Sequence, residues 1–239
     1  MKISHRNRQN PNHTPEQQSG SARIVPVFVI LFVIALGAVA APRSSQQDRD
    51  HDRDRDFDRF IFVSHERTAA DFGGGHGGRP SPDALCEEGS VAVGFHVQTG
   101  EFFNTAWLDC ARIDRDGRLG DQRQMTSRTG SPGGRPVHDA YCPEHFALRG
   151  LRGRTGGSID EAVGECTPLH EIAARVDNPR TEWTQPVMRP NPGGHPAQAE
   201  CPRGFVVTGF RSTSGEYMDH LWIVCSELRA RDRDHDHDH

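Results

Sequence analysis

Three polar residues stand at matching points of this chain: Asn104, Asp160 and Asp219. Each closes a Gly-x-x-x-Asp/Asn turn opened by Gly100, Gly156 or Gly215, and each leads into an apolar run stopped by a cysteine: TAWLDC, EAVGEC and HLWIVC. A carboxylate at the mouth of a strand can accept two charge-assisted hydrogen bonds from hydroxyl or N–H donors. Glycines beside it remove the side chains that would hold a ligand away from backbone donors. A local role is the alternative, because an Asp or Asn closing a turn also bonds to nearby backbone N–H groups, and Asn104 would do that as well as an aspartate.

The turns belong to a repeat. Six cysteines fall in three pairs of equal separation, Cys86 with Cys110, Cys142 with Cys166 and Cys201 with Cys225. At matching distances from the first cysteine of each pair stand Gly94, Gly150 and Gly209, then the glycine and the Asp/Asn of the turn. A Gly-Gly pair precedes each first cysteine: Gly77-Gly78, Gly133-Gly134 and Gly193-Gly194. Self-similarity of this kind is the signature of a fold built from one unit several times. An even cysteine count beyond an export segment predicts disulfides, and the equal spacing predicts pairing inside each unit, closing that unit's own sheet. No Cys-x-x-Cys pair is present, which argues against zinc, and no cofactor is expected.

Within a unit the pattern is that of short strands. SVAVGFHV (90–97), FALRGLRG (146–153) and FVVTGFRS (205–212) are β-branched or aromatic and bounded by turns, and the three runs ending in cysteine alternate. A further strand is expected before each Gly-Gly pair, at 60–66, 124–129 and 181–188. One small four-stranded Greek-key sheet cannot bury its inner face alone, whereas three can around an axis. The expected fold is all-β, a prism of three such sheets with pseudo-threefold symmetry, over residues 60–228 (repeats 60–113, 124–169 and 181–228). Leu85, Phe95, Leu108, Leu148, Leu151, Ile159, Val163, Phe210, Leu221 and Ile223 are the core candidates. Trp107, Trp183 and Trp222 are read as packing residues, with exposed platforms for a sugar as the alternative. The mid-strand glycines Gly94, Gly150 and Gly209 mark a bulge or the close approach of another backbone.

Before the repeats, residues 24–41 are uncharged and apolar after a basic n-region of residues 1–23. Ala38-Val39-Ala40 has the form of a signal-peptidase site, which would leave Ala41 as the mature N-terminus; the long n-region also suits an uncleaved transmembrane anchor. Either way the repeats are expected outside the cytoplasm, secreted or held to a membrane through 24–41 alone. Residues 42–59 and 229–239 alternate opposite charges and read as a disordered linker and tail. His235, His237 and His239 in the tail offer imidazoles without fixed geometry. A net charge of −5 gives no basic field for nucleic acid. There is no Gly-x-Ser-x-Gly and no phosphate-cradling loop before a helix, and Asp160 and Asp219 belong to different units, so catalysis is not expected.

In motif order, three units with a Gly-Gly turn and a later Gly-x-x-x-Asp turn resemble the β-prism of the jacalin-related lectins. The paired cysteines and Val-x-Val-Gly-Phe elements are similar to the vitelline membrane outer layer proteins, another three-sheet prism. The lectin resemblance implies metal-independent carbohydrate binding, with glycans as partners. It carries over to Gly133, Gly134, Gly156 and Asp160 in the middle unit, to Gly193, Gly194, Gly215 and Asp219 in the last, and more weakly to Gly77, Gly78, Gly100 and Asn104 in the first. A structural or protein-binding module of the cell envelope or extracellular matrix, with no sugar site, is the competing expectation.

Overall fold

The structure, a computed structural model, describes residues 59–189 and 192–232. The n-region, the apolar segment 24–41, nearly all of the linker and the histidine-bearing end of the tail lie outside the described residues. Among the described residues no helix is long and apolar enough to cross a membrane.

In chain order the strands are β1 (Arg59–Gly74), β2 (Arg79–Pro80), β3 (Ala84–Leu85), β4 (Ser90–Thr99), β5 (Phe103–Ile113), β6 (Leu119–Met125), β7 (Thr129–Gly130) and β8 (Val137–Tyr141). They continue with β9 (Phe146–Thr155), β10 (Ile159–Pro168), β11 (Glu182–Trp183), β12 (Val187–Met188), β13 (His195–Glu200), β14 (Phe205–Ser214) and β15 (Met218–Asp232). One short helix, α1 (Leu169–Ala173), interrupts them. The strands form three antiparallel sheets of five, in each of which two short strands share one edge position. Their orders are β6-β5-β4-β8 with β7 on β5, β11-β10-β9-β13 with β12 on β10, and β1-β15-β14-β2 with β3 on β14.

This order corrects the expected unit. The strand after each Gly-Gly pair lies against the preceding repeat: β8 pairs with β4 and β13 with β9. The last repeat is completed by the beginning of the domain, since β1 pairs with β15 along its length and β2 and β3 with β14. Residues 229–232, expected in the disordered tail, extend β15 because β1 supplies their hydrogen-bonding partner.

The inner faces meet in one cluster that includes Phe72, Phe95, Phe103, Leu108, Leu148, Leu151, Ile159, Phe210, Met218, Leu221 and Ile223. Phe95 and Phe210, from different sheets, meet edge to face with centroids 6.3 Å apart, a favoured aromatic geometry. A second cluster, with Ile61, Val91, Ile113, Val206 and Leu228, closes the end where β4 and β14 begin, and the unforeseen α1 adds Leu169 and Ile172 to it. Two core expectations are corrected: Leu85 is half-buried, lying over Gly209, and Val163 is buried but belongs to neither cluster. The tryptophans join neither cluster either. Trp107 is buried between His96 and the Arg128 guanidinium, Trp222 packs on His220, and Trp183 is exposed beneath Arg152.

The mid-strand glycines satisfy both readings of them. Register slips beside Gly94, Gly150 and Gly209, so that Val93, Arg149 and Thr208 are extra residues. A side chain at Gly94 or Gly150 would also meet the backbone of the neighbouring strand, with Ala140 O 2.9 Å and Ala199 O 2.7 Å from the added Cβ. Each extra residue turns its carbonyl to a cysteine. The N–H of Cys142 donates to Val93 O, that of Cys201 to Arg149 O and that of Cys86 to Thr208 O, all at 2.9 Å.

The disulfides pair as the spacing predicts, Cys86–Cys110, Cys142–Cys166 and Cys201–Cys225. They do not close their own sheets. Cys86 follows β3 and Cys110 lies on β5, Cys142 follows β8 and Cys166 lies on β10, and Cys201 follows β13 and Cys225 lies on β15. Each bridge therefore ties one sheet to the next, and three of them complete the circle. Each loop spans 24 residues, for which the chain-entropy estimate is about 3 kcal/mol per bridge. The double change Cys86→Ser, Cys110→Ser is expected to lower unfolding free energy by about that amount, read by urea titration; a loss under about 1 kcal/mol would show the bridge to be redundant.

Candidate functional site

The three Gly-x-x-x-Asp/Asn turns join β4 to β5, β9 to β10 and β14 to β15, all at one end of the prism. Each is shaped in the same way: the N–H of Gly100 donates to Phe102 O at 2.8 Å, that of Gly156 to Ser158 O at 2.8 Å and that of Gly215 to Tyr217 O at 3.0 Å. These three N–H groups are therefore committed inside the turn and are not free donors for a ligand.

Because the strand after each Gly-Gly pair lies on the preceding repeat, the pockets straddle two repeats, and the grouping expected from the sequence is corrected. Gly133 and Gly134 face Gly100 and Asn104; Gly194 faces Gly156 and Asp160, with Gly193 against Arg189 beside it; Gly77 and Gly78 face Gly215 and Asp219. The twelve residues are brought together, but as these three sets. Glycine is required at the second position of each pair for two reasons. Gly78, Gly134 and Gly194 have φ of +76°, +83° and +66°, which other residues adopt at a cost. A Cβ would also strike the pocket: at Gly134 it would lie 2.7 Å from Asn104 Oδ1, and at Gly194 2.5 Å from Asp160 Oδ2.

The frame is common to the three pockets and the chemistry is not. Asp219 is half-buried. Its Oδ2, between Gly78 and Gly215, is buried without a hydrogen-bond partner, and among the described residues no cation is paired with it. Asp160 is 2% exposed, and Arg189 Nε donates to its Oδ1 as an ion pair. Asn104 is half-buried and uncharged. The difference traces to one backbone position. The carbonyl of each Asp/Asn accepts an N–H from a neighbouring strand segment: Ser131 for Asn104 (2.8 Å), Arg189 for Asp160 (3.1 Å) and Gly75 for Asp219 (2.7 Å). A serine, an arginine and a glycine thus occupy equivalent places beside the three pockets.

Arg189 was not among the residues singled out from the sequence, and no sequence signal marks it. Its counterpart beside Asp219 is Gly75, at the far end of the domain, so the equivalence exists only after β1 has paired with β15. The turns also touch one another. Phe102 and Tyr217 stack with centroids 4.4 Å apart, and the Arg189 guanidinium lies 5.6 Å from the Phe102 ring centre.

No protein-family model and no curated protein matches the sequence. Among solved structures, similarity is found to artocarpin complexed with Me-alpha-mannose (12% identity, TM-score 0.47, 68% of this chain and 99% of that chain). A mannose-binding jacalin-related lectin from Ananas comosus is also similar (12%, 0.43, 69% and 98%), as is the prostate-specific WGA16 glycoprotein lectin (13%, 0.42, 64% and 97%). The chemistry of the three turns is read from their own residues.

The carboxylates whose ionisation is perturbed lie elsewhere, on the outer faces. Burial raises Glu165, the neighbouring Glu200 adds to this, and Arg149 and Arg152 oppose it. Burial likewise raises Asp109, against the pull of Arg123 and His96, and Asp109 Oδ1 is buried with no partner. His96 beside it is held through Nδ1 by Asp139 at 2.6 Å. A raised carboxyl binds its proton more tightly in the folded chain than in the unfolded one. Asp109 therefore favours folding below the unfolded value, and this contribution is lost as pH rises through the folded one. Asp109→Asn is expected to be more stable than wild type at pH 7, the two converging below about pH 4; thermal unfolding across that range checks it, and a gap that widens toward acid would contradict it.

Proposed function

We propose that the protein is a metal-independent carbohydrate-binding module whose pocket for neutral hexoses is formed by Gly77, Gly78, Gly215 and Asp219. The observation that carries this reading is the Asp219 carboxylate, walled by glycines and with no donor or cation among the described residues. The carboxylate of a structural turn aspartate would accept nearby backbone N–H groups, and the Asp219 carboxylate accepts none among the described residues. A buried acceptor left unpaired is costly, so a ligand hydroxyl donated to it is favoured twice, by the bond and by relief of that cost. Adjacent hydroxyls of a hexose suit the two oxygens of one carboxylate. The half-buried Tyr217 supplies apolar surface beside them.

The Asn104 pocket has the same frame with a single uncharged acceptor, and binds more weakly. Arg189 pairs with Asp160 Oδ1 and neutralises the carboxylate whose Oδ2 faces Gly156 and Gly194, which makes the Asp160 pocket a poorer acceptor for neutral sugars. Three disulfides suit an oxidising compartment, so the module is read as extracytoplasmic, released or anchored by residues 24–41.

Calorimetry of the wild type against methyl mannoside, glucoside and galactoside is expected to give one site per chain. Hydrogen bonds to charged groups contribute about 1.5–3 kcal/mol each, so Asp219→Ala should weaken binding at least about tenfold. Asn104→Asp should add a second site. If no hexose binds, or Asp219→Ala binds as before, Asp219 is a turn residue and the module is a structural one.

A further inference from the structure

Resting on the reading of the glycine-walled turns as sugar pockets, we infer that the middle pocket, around Asp160, takes an acidic saccharide, one bearing a carboxylate, in place of a neutral hexose. The pocket has the frame of the Asp219 pocket with its polarity reversed. Asp160 is sequestered: its side chain is 3% exposed and is paired with Arg189 Nε. The acceptors of the glycine turn are sequestered as well, since Arg154 donates through Nε to Gly193 O and through Nη2 to Gly194 O, both at 2.7 Å.

Apart from Asp160 Oδ2, deep between Gly156 and Gly194, donors are what remain. The Nη groups of Arg189 make no hydrogen bond among the described residues, and Nη2 lies 3.3 Å from where a Cβ on Gly193 would be, at the rim of the pocket. The Arg189 side chain is 20% exposed, so the guanidinium edge opposite Asp160 is reachable. Its position is fixed three times over, by the ion pair to Asp160, by the backbone hydrogen bond to Asp160 O and by the ring of Phe102. A held guanidinium with two free parallel N–H groups matches a carboxylate in bidentate geometry. Arg154 adds a second positive charge at the same turn, with no ion pair among the described residues. At the equivalent places the other pockets carry Ser131 and Gly75 and lack this group.

The test compares methyl glucuronide with methyl glucoside, which differ in a carboxylate against a hydroxymethyl group, by amide NMR titration of the intact chain. Gly156 and Gly194 report the middle pocket, and Gly78 and Gly215 report the Asp219 pocket. Glucuronide is expected to shift the first set, glucoside not, and added salt should weaken the glucuronide response. Arg189→Gln should weaken it at least about tenfold. Arg189→Lys, which keeps the charge paired with Asp160 but not the fork, should fall between. Asp219→Ala should leave the glucuronide response intact while abolishing the neutral-hexose response at Gly78 and Gly215, so the two readings fail separately. The inference is overturned if glucuronide leaves Gly156 and Gly194 unmoved, if glucoside shifts them equally, or if both Arg189 variants respond as wild type.

Discussion

The structure depends on what happens at three cysteines. Each has its backbone N–H on the bulged residue of one sheet, Val93, Arg149 or Thr208, and its sulfur bonded to a strand of the next. A small twisted sheet has one apolar face and cannot bury it alone. Holding the sheets in sequence around a circle gives each inner face two neighbours, and the common cluster from Phe72 to Ile223 results. The bulge sits where a glycine leaves room for the adjacent backbone, so the hydrogen bond, the missing side chain and the disulfide belong to one junction made three times.

That junction also decides where the pockets are. The chain leaving each Gly-Gly turn must reach a cysteine bonded to the bulge of the preceding repeat, so the strand between them pairs with that repeat. The turn is thereby delivered to its neighbour's Asp or Asn. The last pocket is completed from the first turn because β1, β2 and β3 return to the sheet of β14 and β15. A circular arrangement built from a linear chain needs this closing step, and here it places Gly75 next to Asp219.

Symmetry of frame has left chemistry free to differ. On the outer faces, the position of Asp109 is a glutamate, Glu165, opposed to Arg149 and Arg152 in the second sheet, and Val224 in the third. At the pocket end, the backbone bond to the Asp/Asn carbonyl is kept in all three sheets while the residue donating it is Ser131, Arg189 or Gly75. The backbone requirement fixes an N–H and not the side chain, although at Gly75 a Cβ would lie 2.5 Å from Gly157 O. An unpaired carboxylate, an amide and an arginine-paired carboxylate therefore stand side by side, with Phe102 touching the ring of one neighbour and the guanidinium of the other.

The sequence by itself determined what depends on local spacing. Equal cysteine intervals gave the disulfide partners, period-two alternation gave the central strands, and the recurrence of Gly-Gly and Gly-x-x-x-Asp/Asn named the residues that meet at the three turns. Helix α1 and the strand at residues 229–232 were not legible, because each owes its state to a partner distant in the chain. The grouping of the pocket residues was illegible for the same reason. Strand pairing is chosen by which edge completes a buried sheet, and that edge belonged to the neighbouring repeat. Whether a carboxylate is free to accept a hydroxyl is likewise a tertiary matter: Asp160 and Asp219 have the same local sequence role, and an arginine against one and a glycine against the other make them different groups.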